Sequence, residues 1–132
     1  MRVVVIPVEG PVRIEDNPCE LDYLQACVGG WIEAVDVSEV LTDSGTRQTT
    51  ATMFVNEEGK LIGLPVNPRA TDLAAVTIGG WIRDVINGDV VIVGQPDEEG
   101  DSTECPANIV EMIEDWGWPI AGRRGEQGSQ PA

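Results

Sequence analysis

The residues of this chain that could do chemistry are carboxylates, and they crowd most densely between positions 97 and 115. Asp97, Glu98, Glu99, Asp101, Glu104, Glu111, Glu114 and Asp115 fall there with no Lys or Arg among them. Asp97, Glu99 and Asp101 alternate like the first ligands of a calcium loop. A loop starting at Asp97, however, puts Gly100 at position four instead of six, and Asn108 where the bidentate Glu belongs. The spacing fails, and the expectation is a solvated acidic loop. The other use of such a row is to imitate the phosphates of DNA. Duplex DNA carries one charge per about 1.7 Å of axis, so a mimic must spread its carboxylates along an extended face. Glu111, Glu114 and Asp115 share one face of an expected helix, with the loop acids leading into it. Trp118, between a glycine stop and Pro119, is the expected apolar anchor beside them.

Much other chemistry is excluded by what is missing. Without histidine there is no Ser-His-Asp or Cys-His catalysis and no imidazole metal ligand. Cys19, Cys27 and Cys105 are odd in number and form no Cys-x-x-Cys pair, so they read as buried free thiols of a reducing cytosol. Cys19 and Cys27 are placed on one helix, too far apart for a disulfide. No Walker loop or Gly-x-Gly-x-x-Gly occurs. Arg69, just inside a helix start, could meet an anion, but eight basic residues against 23 acidic ones set up a field that opposes it. The same net charge of −15 repels nucleic acid and anionic membrane and attracts basic protein surfaces. No signal peptide and no membrane span is visible, which points to the cytoplasm.

The elements that must position these acids show an internal echo. Residues 17–35 and 67–85 are identical at eight of nineteen positions, where roughly one match is expected by chance. The shared residues include Asn17-Pro18 with Asn67-Pro68, Asp22 with Asp72, and Gly29-Gly30-Trp31 with Gly79-Gly80-Trp81. Each Asn is expected to cap a helix with Pro at its first position, Glu20 completing a capping box in the first copy. Gly29 ends the first helix, and Trp31 opens a strand to Val37 with its side chain in the core. The second half reads as strand 52–55, a hairpin loop at Asn56-Glu57-Glu58-Gly59, a return strand 60–64, and a helix to about Val76. A doubly buried strand, 89–93, follows. Two similar strand–strand–helix–strand halves, 1–42 and 51–94, therefore make one α+β domain of residues 1–121. The polar stretch 43–50 joins them as a loop. An acidic loop 95–103 and a helix 104–116 complete the domain, and the tail 122–132 is expected to be disordered. On that helix Ile109, Met112, Ile113 and Trp116 face inward.

The block Asn56-Glu57-Glu58-Gly59-Lys60-Leu61-Ile62-Gly63-Leu64-Pro65-Val66-Asn67-Pro68-Arg69-Ala70-Thr71, with Val28-Gly29-Gly30-Trp31-Ile32-Glu33 before it and 88–94 after it, resembles a family known as a domain of unknown function. The resemblance covers residues 20–104. It implies a small accessory protein of actinobacteria, their plasmids and phages, and brings no catalytic residues. The expectation is a non-catalytic protein, with no cofactor and no metal, that binds a basic host protein. Its partner surface is Asp97, Glu98, Glu99, Asp101, Glu104, Glu111, Glu114, Asp115 and Trp118. A DNA mimic directed at a nuclease, restriction enzyme or repressor is one alternative, and a small-ligand binder is another. A homodimer is left open.

Overall fold

In the computed structural model the described residues are 1–41, 47–77 and 85–123. The fold is α+β, built on one five-stranded antiparallel sheet. β1 (Arg2–Ile6) and β2 (Arg13–Asp16) form a hairpin, α1 (Leu21–Val28) follows, and β3 (Ile32–Leu41) and β4 (Arg47–Asn56) form a second, longer hairpin. Then come α2 (Pro68–Thr77), β5 (Val90–Gly94) and α3 (Ala107–Asp115). Their order across the sheet is β2-β1-β5-β4-β3, so β5, last in the chain, inserts between the two hairpins.

That central place explains the composition of β5. It pairs with β1 on one side and β4 on the other, and all five of its residues are buried. Alternation sorts the side chains into two cores. Val4, Ile6, Met53, Val90 and Ile92 pack under α2 and α3 with Leu73, Ile109 and Ile113. Val3, Val5, Val91 and Val93 pack under α1 with Leu24 and Cys19. Ile109 and Ile113 are fully buried, worth about 2–3 kcal/mol each. Three of the expected inward residues of α3 do face the core. The fourth, Trp116, is 38% exposed because the helix has ended before it.

Several expectations are corrected. The second half has no return strand: residues 57–63 run as consecutive turns, with Leu64 N bonded back to Gly59 O. The first half has a hairpin at that point, so the described chain paths of the two halves differ. Residues 47–50 belong to β4 and are not loop. Trp31 is 65% exposed, because Ile32 takes the α1 side of the strand and parity sends Trp31 to the other. The matching Trp81, with Gly79 and Gly80, lies outside the described residues, as does most of the expected disordered tail.

Both outer helices begin late. Cys19 adopts a left-handed φ of 62°, which a residue with a Cβ rarely takes, and α1 starts two residues beyond it. Cys19 therefore precedes the helix instead of sharing it with Cys27. Glu20 occupies the cap position without a side-chain bond, so the expected capping box is absent. Gly29, at φ 81°, stops α1 as expected. α3 begins at Ala107, three residues after its expected start. Cys105 N donates to Arg2 O, and Glu104 accepts from Arg2 N, which holds the chain extended beside β1.

Candidate functional site

The acidic segment leaves the sheet at Gly94, where the chain doubles back on itself. Gly94 N donates to Thr103 O at 2.9 Å, and a Cβ on Gly94 would lie 2.3 Å from Thr103 Oγ1. Only glycine allows this approach. Within the loop Asp97 is an organiser. Its Oδ1 accepts from Glu99 N and Asp101 N, both at 2.9 Å, and its main chain bonds Asp101 O and Gly100 N. An aspartate that folds its own loop in this way is an Asx-type turn residue.

Two more of the expected partner acids already have partners. Glu104 Oε1 accepts from Arg2 N at 2.8 Å, and its other oxygen lies 4.0 Å from the Arg2 guanidinium. Glu114 pairs with Arg123. No Lys or Arg lies near either acid in sequence, so sequence spacing could not find these pairs. Glu98, Glu99, Asp101, Glu111 and Asp115 remain, all exposed and without a cationic partner among the described residues. Trp118 is half-buried against the core, its ring 5.0 Å from that of Trp116 and 5.9 Å from the Arg69 guanidinium. It is more a buttress than a free anchor.

The basic residues explain the field these acids make. Five have described side chains, and each is turned to an internal task. Arg2 donates twice to Cys105 O, and Arg13 pairs with Glu15 at 3.0 Å. Lys60 Nζ donates to Val85 O at 2.5 Å, and Arg69 clamps Pro7 O and Gly10 O at 2.7 Å each. Arg69 is thus committed to carbonyls and does not wait for an anion. Arg123 holds Glu114.

Burial works against the thiols as nucleophiles. Cys105 is fully buried, and burial pushes its thiol up to about 12; burial also raises Cys19 and Cys27. A thiol that stays protonated attacks poorly. Among the described residues no three Cys, Asp or Glu side chains converge as a metal ion requires. Asp22 and Asp72, related by the echo, are both exposed.

Sequence reading missed a second surface, at the turn-rich end of the molecule. Leu61 is 86% exposed, and Ile62, Val66, Val85 and Trp31 are exposed as well. A cleft of about 440 Å³ lies there, lined by Glu33, Val35, Val55, Glu57, Leu61 and Asn87 among others. Asn87 Oδ1 is buried and has no hydrogen-bond partner among the described residues. The Leu61-Ile62 pair between turn residues was the available signal, obscured by reading 60–64 as a strand. No described helix is long and apolar enough to cross a membrane.

The chain belongs to the DUF3846 family, a domain of unknown function, whose family model matches residues 1–117. No curated protein and no solved structure matches it.

Proposed function

We propose that this DUF3846 domain acts without catalysis, as a small cytoplasmic accessory protein of a phage or other mobile element. In this reading it binds and modulates a host protein that carries a basic surface. One observation carries the reading. Every basic side chain that is described points to an internal carbonyl or a single acid, while Glu98, Glu99, Asp101, Glu111 and Asp115 stand exposed with no counter-charge among the described residues. A surface that neutralises its cations internally and leaves its acids outward attracts a cationic partner over several ångströms and speeds encounter.

The test uses the protein as bait in a host lysate at low and high salt. A bound basic protein is expected at low salt, with association slowed when Glu98, Glu99, Glu111 and Asp115 are all changed to Lys. A folded quadruple variant that captures the same partner equally well would overturn the reading. The same acids support the alternative, imitation of a DNA phosphate row before a nuclease, restriction enzyme or repressor. Competing duplex DNA separates the two, because it displaces the protein only from a DNA-binding partner.

A further inference from the structure

The two edges of the sheet are finished differently. β2 is four residues long, and its near end is covered: Val12 N donates to Pro119 O, Ala121 N donates to Val12 O, and buried Ile120 bridges Val12. At its far end the Met1 ammonium holds Asp16 at 2.7 Å. The other edge, β3, runs for ten residues with no strand beyond it among the described residues.

The β3–β4 register says which groups that outer edge presents. Glu57 N donates to Trp31 O, so the bonded pairs of the ladder fall on odd residues of β3. The N–H and C=O groups of Ile32, Ala34 and Asp36 therefore point outward. Of these three residues Ala34 and Asp36 are exposed and Ile32 is half-buried, and Glu33 between them is exposed as well. Unpaired strand edges are templates for another strand.

We infer that the outer edge of β3, over Ile32–Asp36, accepts an extended, basic segment of another protein as a sixth strand. Charge selects this occupant. Glu33 and Asp36 lie on the edge itself, and Glu57 stands beside the start of the strand. The nearby Lys60 ammonium is bonded to Val85 O. A second copy of this chain would bring acid against acid, whereas alternating Lys or Arg meets Glu33 and Glu57. This site uses none of the acids of the loop or α3, so it stands or falls apart from the reading above.

The probe is a synthetic peptide of about eight residues alternating Lys and Val. Its binding is followed by amide NMR and hydrogen exchange on the whole protein. Ile32, Ala34 and Asp36 amides are expected to shift and gain protection, and a Glu-Val peptide is expected not to bind. N-methylating the peptide residues that bond the edge should weaken binding at least about tenfold, while methylating the alternate residues should change it little. The Glu33→Lys/Asp36→Lys variant, altered only at exposed positions, should exchange its preference to the Glu-Val peptide. Equal effects of both methylation patterns would overturn the site. So would shifts confined to residues 98–115, while leaving the acidic-surface reading intact. Protection of the same three amides by self-association, without peptide, would overturn the choice of occupant.

Discussion

Asn-Pro stands ahead of a helix twice in this chain, at 17–18 and at 67–68, and the two pairs end in different structures. Asn67 is fully buried. Its Oδ1 accepts from Ala70 N at 3.0 Å, three residues on, which is an N-cap bond. Its amide donates to Ile6 O at 2.9 Å and Gly88 O at 3.0 Å, so one side chain ties α2 to the end of β1 and to the turn before β5. Thr71 adds a second tie, donating to Asn67 O and accepting from Ile86 N. Asn17 instead closes a small turn, accepting from Cys19 N at 2.8 Å, and α1 begins only at Leu21. The same dipeptide caps where long-range carbonyls come to its amide. Where they do not, it turns locally.

The comparison breaks first at Asn67. Asn67→Ala leaves two carbonyls and one amide without their bonds in a buried place, and is expected to cost about 3 kcal/mol or more. Urea unfolding measures this directly. Asn67→Asp keeps the cap acceptor and loses both donations, so most of the loss should remain. A cost near that of an exposed cap, about 1 kcal/mol, would show that the buried donations contribute little.

Thr71→Val comes next. The shape is retained, but Ile86 N loses its acceptor, and a cost of about 1–2 kcal/mol is expected. A double variant with Asn67→Ala should cost less than the sum, because both residues serve one network. Full additivity would mean that the two ties are separate.

These buried ties also mark how far the sequence could be read. Runs of β-branched residues revealed β1 and β5, and Gly29 and the spacing of Ile109 and Ile113 revealed how α1 ends and which side of α3 is buried. Those signals are local. What stayed hidden depends on partners far along the chain: Arg2 with Cys105, Asn67 with Ile6, Glu114 with Arg123. The β3–β4 hairpin was hidden for a related reason. Its polar residues 47–50 resemble a loop, since an outer hairpin needs no apolar alternation along its whole length. For the site, the exposure of Glu111 and Asp115 was legible from helical period. The pairing of Glu104 and Glu114 was not, because their cations lie outside the acidic stretch.

Asn17→Ala should be the mild counterpart of Asn67→Ala. It removes one turn bond from a half-buried side chain, at about 0.5–1 kcal/mol, measured by the same unfolding curves. A loss as large as that of Asn67→Ala would mean that the left-handed Cys19 depends on this turn for its conformation.

The smallest expected effect is a difference in acid sensitivity between the two helix starts. α1, lacking a side-chain cap, is fastened by Tyr23, whose hydroxyl donates to Glu15 Oε1 at 2.5 Å. That bond, aided by Arg13, holds the Glu15 carboxyl below the ordinary carboxylate range. A folded-state pKa below the unfolded one contributes stability that is present above the unfolded value and lost as pH falls through the folded one. The bonds at the start of α2 run through Asn67, Thr71 and Arg69, none of them a carboxylate. Global stability is a poor readout here, because protonating the acids also relieves the repulsion of a chain at −15. The useful measurement is local: hydrogen exchange of α1 amides against α2 amides as pH is lowered below the carboxylate range, corrected for intrinsic rates. α1 should lose protection first. Tyr23→Phe should move the Glu15 titration back toward its ordinary value and flatten the pH dependence of α1, leaving α2 as it was. If α2 opened first on acidification, or Tyr23→Phe left the Glu15 titration in place, the carboxylate would not be the fastener of α1.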